Sequence, residues 1–265
     1  MKIFIKKLIA YIAVFTFLVN IGLGVAGCDY NEIQVGDFIF EELYAGTKEV
    51  SVIGISDAGK DKEYLYIPER ITLKKDEYIV TQAGYHAGWV SDRTIVFSSD
   101  NLKFLYFPWT LCPFETMVDF SAFKLERVFV ACTTCAFGNG KYLRNWSSVA
   151  GESGSKDVIY SKLLFCEYFG ETYEPISKNN FTCRPANIAF MFNYEGCPNN
   201  GYYSIDYLEK TGKVHEPLTP IRDGYVFGGW FADEQCTIMW NFDKTEVIIG
   251  ESYQETKVYA KWIKN

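Results

Sequence analysis

Histidine is almost missing from this chain: His86 and His215 are the two in 265 residues. Neither lies near a cysteine pair in sequence, which leaves little material for a mixed Cys/His zinc site. The local signatures of common catalysts are missing too. There is no P-loop, no H-E-x-x-H and no dinucleotide-binding glycine pattern. Gly151-Glu152-Ser153-Gly154-Ser155 fails as a nucleophile elbow because its second glycine comes one residue early. Positive charge is in deficit, with 26 Lys and Arg against 33 Asp and Glu and a net charge of −7. That argues against the basic face nucleic acid requires and against a polybasic membrane patch. No long segment beyond the N-terminus repeats its apolar residues with the helical period.

Aromatic residues, by contrast, make up 17% of the chain, with 19 Tyr and 21 Phe. Aromatic and β-branched side chains favour pleated, half-buried surfaces, so the expected fold class is mainly β. No cofactor and no metal are expected. A glycosidase would need only two carboxylates placed by geometry, not a motif. Asp92, Asp119, Glu126 and Asp157 are the conceivable acids, and solvated surface is the default for each. The expectation is a protein that is not an enzyme.

The N-terminus carries the sharpest signal. Lys2, Lys6 and Lys7 precede an apolar run from Leu8 to Val25, which closes on Val25-Ala26-Gly27-Cys28. A basic start, an apolar stretch and small residues at its end make an export signal rather than a fold element. Polar Asp29, Asn31 and Glu32 follow at once. The segment resembles a bacterial lipobox. That resemblance implies cleavage after Gly27, with Val25, Ala26 and Gly27 as the peptidase site and a diacylglyceryl thioether on Cys28. Two acyl chains meet the condition for stable anchoring, so the partner expected at Cys28 is membrane lipid. The alternative is an uncleaved spanning helix, since the run is nearly long enough. Removing residues 1–27 takes away three lysines and no acid, so the net charge falls from −7 to −10 over the remaining 238 residues. No sortase-type signal is expected from Trp262-Ile263-Lys264-Asn265, which leaves attachment to Cys28.

Eight cysteines become seven once Cys28 is lipidated, and an odd number cannot all pair within one chain. Cys132-Thr133-Thr134-Cys135 has redox spacing, but no alternating strand–helix pattern surrounds it. Buried thiols acting as small hydrophobes are the plainer reading, and a 132–135 disulfide stays open for an exported chain.

The stretch from 187 to 265 reads as one small module. Ile188-Ala189-Phe190-Met191-Phe192 is a strand; Pro217 and Pro220 bracket an extended connection; Asp223-Gly224 marks a turn. Tyr225 to Trp230 alternates, with Tyr225 and Phe227 on one face and Val226 and Trp230 on the other, and Val258 to Trp262 is a last strand. The run Pro217-x-x-Pro220-x-Arg222-x-Gly224-Tyr225-x-Phe227-x-Gly229-Trp230, the pair Trp240-x-Phe242 and the closing Val258-Tyr259-Ala260-Lys261-Trp262 resemble the internalin-type B repeat, or Listeria–Bacteroides repeat. The resemblance implies a small β-grasp-like module on a bacterial surface. It departs from the family in having one copy and a long Asn193–Lys213 stretch after the first strand. Phe227 and Trp262 are expected in the core. Tyr202 and Tyr203, placed by this reading in the inserted loop, are the expected ligand-binding residues for a glycan or protein.

Between 28 and 186 the signal is thinner. Val50 to Ile55 is a strand followed by a polar turn from Ser56 to Lys62. Tyr64-Leu65-Tyr66-Ile67-Pro68 and Phe104-Leu105-Tyr106-Phe107-Pro108 are near copies, and Leu125 to Val130 has the same alternation. The 23 residues from Leu102 to Leu125 match leucine-rich repeat periods of about 20–29, and Tyr78 to Ala87 and Phe120 to Phe123 fall where such a repeat turns its second side. Residues 45–135 therefore resemble a degenerate BspA-like leucine-rich repeat; the 40 residues from Leu65 to Leu105 break the period, and an irregular β domain is the alternative. A short strand is expected at Val158–Phe169. The organisation expected is a signal segment (1–27), a leucine-rich-repeat-like or irregular β region (28–186) and a small β-grasp-like module (187–265). Its expected role is lipid-anchored, non-enzymatic surface binding or adhesion, with a carbohydrate-active enzyme or a ligand-free envelope spacer as alternatives.

Overall fold

The computed structural model describes residues 32–43, 46–83, 95–96, 99–111, 118–119, 125–133, 156–171, 173–178 and 181–265. Among them the chain is mainly β. Strands β1 (Glu32–Val35), β2 (Phe38–Glu42) and β3 (Glu49–Ile55) form an antiparallel meander. β4 (Tyr64–Tyr66) departs to another sheet, and β5 (Arg70–Leu73) and β6 (Asp76–Ala83) form a hairpin whose β6 lies parallel to β3. β7 (Ile95–Val96) and β9 (Val118–Asp119) make a small parallel pair.

The second sheet is a parallel ladder. It runs from β4 through β8 (Phe104–Phe107), β10 (Arg127–Val130) and β11 (Lys156–Tyr160) to β13 (Phe181–Pro185), with β12 (Ile176–Lys178) antiparallel at its edge. Leu65, Leu105, Val128, Val158 and Cys183 occupy one row across it, in register. All five are buried, facing Phe40, Val50, Val52 and Val80 of the first sheet. The near-copied segments of the sequence are thus neighbouring strands. Their intervals along the chain, 40, 23, 30 and 25 residues, are unequal because the connections differ in length while the strands do not.

One expectation is corrected here. The strand expected over Val158–Phe169 runs from Lys156 and stops at Tyr160, and Lys162–Phe169 is a helix, α1. Ser161 is the reason: its hydroxyl accepts the Leu164 amide at 3.3 Å and caps the first turn. The same hydroxyl donates to the Cys132 carbonyl at 2.7 Å, tying the helix to the segment that follows β10.

The C-terminal module is a four-stranded mixed sheet in the order β15 (Tyr202–Asp206), β14 (Ile188–Met191), β17 (Thr256–Lys264), β16 (Tyr225–Phe231). The central pair, β14 and β17, is parallel. One face carries Phe190, Tyr203, Trp230 and Val258 into the module's own core. The other, with Ala189, Tyr202 and Ile205, packs on Tyr106, Phe129 and Ile159 of the parallel ladder. The module therefore shares a buried seam with the rest of the chain.

Candidate functional site

Val25, Ala26, Gly27 and Cys28 lie outside the described residues, as do His86, Asp92, Cys135 and the Gly151–Ser155 run. The two tyrosines expected to meet a ligand are within them, and the placement expected for both is corrected. Tyr202 and Tyr203 are on strand β15, not in a loop, and are 4% and 7% exposed. They point to opposite faces, as strand neighbours must. Tyr203 enters the module core and Tyr202 enters the seam. Buried on both sides, neither offers a ring face to solvent. The Tyr202 hydroxyl instead donates to the Glu255 carboxylate, 3.0 Å from each oxygen. Burial holds the Glu255 carboxyl above its usual range.

Strand β16 also departs from simple alternation. Phe227 lies opposite Trp262 and Trp230 opposite Ala260, so three residues on β16 span two on β17. The extra residue is a bulge at Gly228-Gly229, and Gly229 has φ +107°, a conformation that favours glycine. The bulge puts Phe227 and Trp230 on one side, with ring centroids 5.2 Å apart. Val226, expected beside Trp230, is left outside at 55% exposure. Phe227 and Trp262 are half-buried against the module core, and the Trp262 indole donates to the Phe192 carbonyl at 2.5 Å. Arg222 explains the polar position in this run. Its guanidinium lies 3.7 Å from the Tyr225 ring centroid and 4.0 Å from that of Tyr194, with Trp262 at 5.8 Å, a cation held over aromatic faces.

The seam is built from an aromatic stack. Tyr66, Tyr106 and Phe129 stand in consecutive ladder strands, each 4.1 Å from the next with nearly parallel rings. Above them, Asn199 closes the junction. Its amide donates to the carbonyls of Ala131 and Tyr202, and its side-chain oxygen accepts from both the amide and hydroxyl of Thr133. Asn199 has φ +52°, a left-handed conformation asparagine tolerates better than most residues. Arg127 and Arg184 flank Asp157, at 3.8 and 3.1 Å, and Arg127 also reaches Glu209 at 2.5 Å. Asp157, one of the conceivable catalytic acids, is therefore neutralised by two guanidiniums. Glu126 is exposed. Cys132 is buried, and burial pushes its thiol up to about 12, which keeps it from acting as a thiolate. Among the described residues no cluster of three His, Cys, Asp or Glu side chains is placed to hold a metal.

Beside the seam opens a cleft of about 170 Å³. Tyr173, Arg184 and Tyr207 form part of its wall, and the 248–254 loop of the module forms another. Tyr173 and Tyr253 stack at 4.5 Å, and the Tyr253 hydroxyl donates to the Ala186 carbonyl at 2.8 Å. Ile248 stands at the rim, 81% exposed.

Residues 190–261 match the Listeria-Bacteroides repeat domain. A second comparison finds a protein of Evansella cellulosilytica described as a Gly-rich membrane protein, 37% identical over 49 residues. That alignment covers 18% of this chain and 5% of the relative's length. The repeat thus begins inside β14 and ends inside β17, and the bulge, the Arg222 cage and Trp240 all fall within it. Sequence reasoning missed the residues that join the repeat to the ladder. Asn199 and Ala189 looked like loop and strand filler, and their roles depend on partners at Thr133 and Ile159. Only Tyr66 and Tyr106, matched between the near-copied segments, hinted at the stack.

Proposed function

We propose that this chain is exported, anchored through a lipid on Cys28, and displays the repeat and the ladder outside the cytoplasm as a non-enzymatic binding or adhesion protein. The observation that carries this reading is the repeat domain packed on a parallel ladder, which leaves a ring-lined cleft where they meet. A rigid scaffold presenting a loop-bordered cleft is the usual arrangement for recognition. The signal-like N-terminus and the membrane-protein description of the Evansella relative support the envelope location. The recurrent 23-residue step, seen between Leu105 and Val128 and again between Ile95 and Val118, supports a leucine-rich-repeat-like origin for the ladder. The ion-paired state of Asp157 counts in favour of a binding rather than a hydrolytic role.

The test is to express the full chain and Cys28→Ser in a bacterium that processes lipoproteins, then measure mass and detergent partitioning. The expected native product begins at a diacylated Cys28 and enters the detergent phase, while the variant stays uncleaved or unanchored. Equal cleavage and membrane retention of the variant would overturn the anchor. The same anchored protein is screened against glycan and matrix-protein arrays; no binding above background would sink the recognition role.

A further inference from the structure

We propose that the seam cleft takes a single lysine or arginine side chain of a partner polypeptide. The inference rests on the binding role above and names its partner. Size comes first. At about 170 Å³ the cleft falls below the ~300–1,000 Å³ of pockets that enclose a drug-sized molecule. It has room for one side chain, with the rest of the ligand outside.

Charge selects the sign. Two of the three cations near the cleft are already paired: Arg184 is held by Asp157, and Arg127 is shared between Asp157 and Glu209; the third, Lys162, lies over the Tyr173 and Tyr253 rings. Those two guanidiniums and two carboxylates balance. Glu174 and Glu251 also line the cleft, are exposed, and make no ion pair among the described residues. With Lys162 counted against them, the surroundings of the cleft keep one net negative charge, within a chain that is itself acidic. An anionic ligand is disfavoured, a neutral sugar can hydrogen-bond the two carboxylates but gains no charge attraction, and a cation gains both.

The rings agree with the charges. Tyr207 lies within 5.8 Å of two guanidiniums, from Arg127 and Arg184. The Lys162 ammonium, which is not part of the cleft wall, sits 5.3 and 5.8 Å from the centroids of Tyr173 and Tyr253. Three of the cleft's tyrosines thus already serve as cation seats for this chain's own side chains. Ile248 at the rim gives the aliphatic stem or a neighbouring apolar residue a surface to cover.

The experiment uses the full chain in detergent and fluorescence anisotropy with three labelled nonapeptides, rich in lysine, arginine or glutamate. A fourth probe is a neutral oligosaccharide. Binding of the basic peptides over the glutamate peptide is expected, weakened about fivefold by Glu174→Gln with Glu251→Gln, in line with two exposed ion pairs. Glu234→Gln, in the turn after β16, is the control and leaves affinity unchanged. Both substituted glutamates are exposed, so the double variant folds, and its circular dichroism and thermal midpoint verify that. Equal affinity for basic and acidic peptides, or no loss in the double variant, overturns the proposal. Oligosaccharide binding without basic-peptide binding overturns it while leaving the recognition role standing. Silence from all four probes overturns this inference, and the array screen then decides the broader role.

Discussion

The indole N–H of Trp109 donates to the carboxylate of Glu69, 40 residues earlier in the chain, and both side chains stand where the ladder meets the repeat. Trp109 meets Phe192 of the module edge-on at 5.7 Å. Glu69 is 8% exposed. Its desolvation outweighs the indole hydrogen bond and the neighbouring Arg70, so its carboxyl is held above the usual range.

This arrangement has a consequence for pH. A carboxyl whose folded-state pKa is raised favours the protonated fold. Its contribution is fully present below the unfolded value of 4.5 and is lost as pH rises through the folded value. Glu255 has the same sign. Replacing Glu69 with Gln keeps an acceptor for Trp109 and removes the buried charge. The expected outcome is a variant more stable than the native chain at pH 7, with the difference shrinking toward pH 4. Thermal midpoints across that range check it, and a variant less stable at pH 7 would refute the assignment.

Tyr202→Phe tests the corrected role of a residue first read as a ligand contact. Removing the hydroxyl strands the Glu255 carboxylate, which is partly buried, at an expected cost of about 1 kcal/mol. That corresponds to a midpoint shift of about 2–4 °C for a domain of this size. The loss is expected to deepen as pH rises, because an unpaired carboxylate is harder to ionise. Affinity for cleft ligands is expected to stay unchanged. A binding defect without a stability change would restore the ligand-contact role.

How much of this was legible in the sequence depends on the range of the contacts involved. Strands β14, β16 and β17 were readable because their apolar residues recur locally, and the fold class followed from the aromatic content. The near-copied segments around Leu65 and Leu105 were readable as strands for the same reason. Tyr202 and Tyr203 were misread because β15 is buried on both faces. Such a strand shows no alternation, and polar Asn199, Asn200 and Gly201 before it suggested a loop. The Gly228-Gly229 bulge shifted Trp230 by one residue, so period-two counting put it with Val226. Helix α1 was read as strand because eight residues give too little helical periodicity to outweigh an apolar run. The cleft was invisible: its walls come from residues as far apart as Tyr173 and Thr256, which only the seam brings together.

The seam itself is the feature most open to direct test. Ala189 is fully buried where β14 meets the ladder, beside Ile159 and Phe129. Its small side chain is what lets the sheet approach the aromatic stack. Ala189→Asp would place an unpaired carboxylate among those apolar groups, and a buried unpaired charge is among the few single changes expected to cost several kcal/mol. The module's own core, on the opposite face of the same strand, contains Phe190, Phe192 and Trp230 and is left untouched. The variant is therefore expected to undock rather than unfold throughout. Calorimetry is expected to show one transition for the native chain and two for the variant. Near-ultraviolet dichroism should lose the signal of the Tyr66–Tyr106–Phe129 stack and keep that of the module tryptophans. A single transition at the native temperature would mean that the substitution leaves the repeat and the ladder one cooperative unit, and would overturn the role given to Ala189 in the seam.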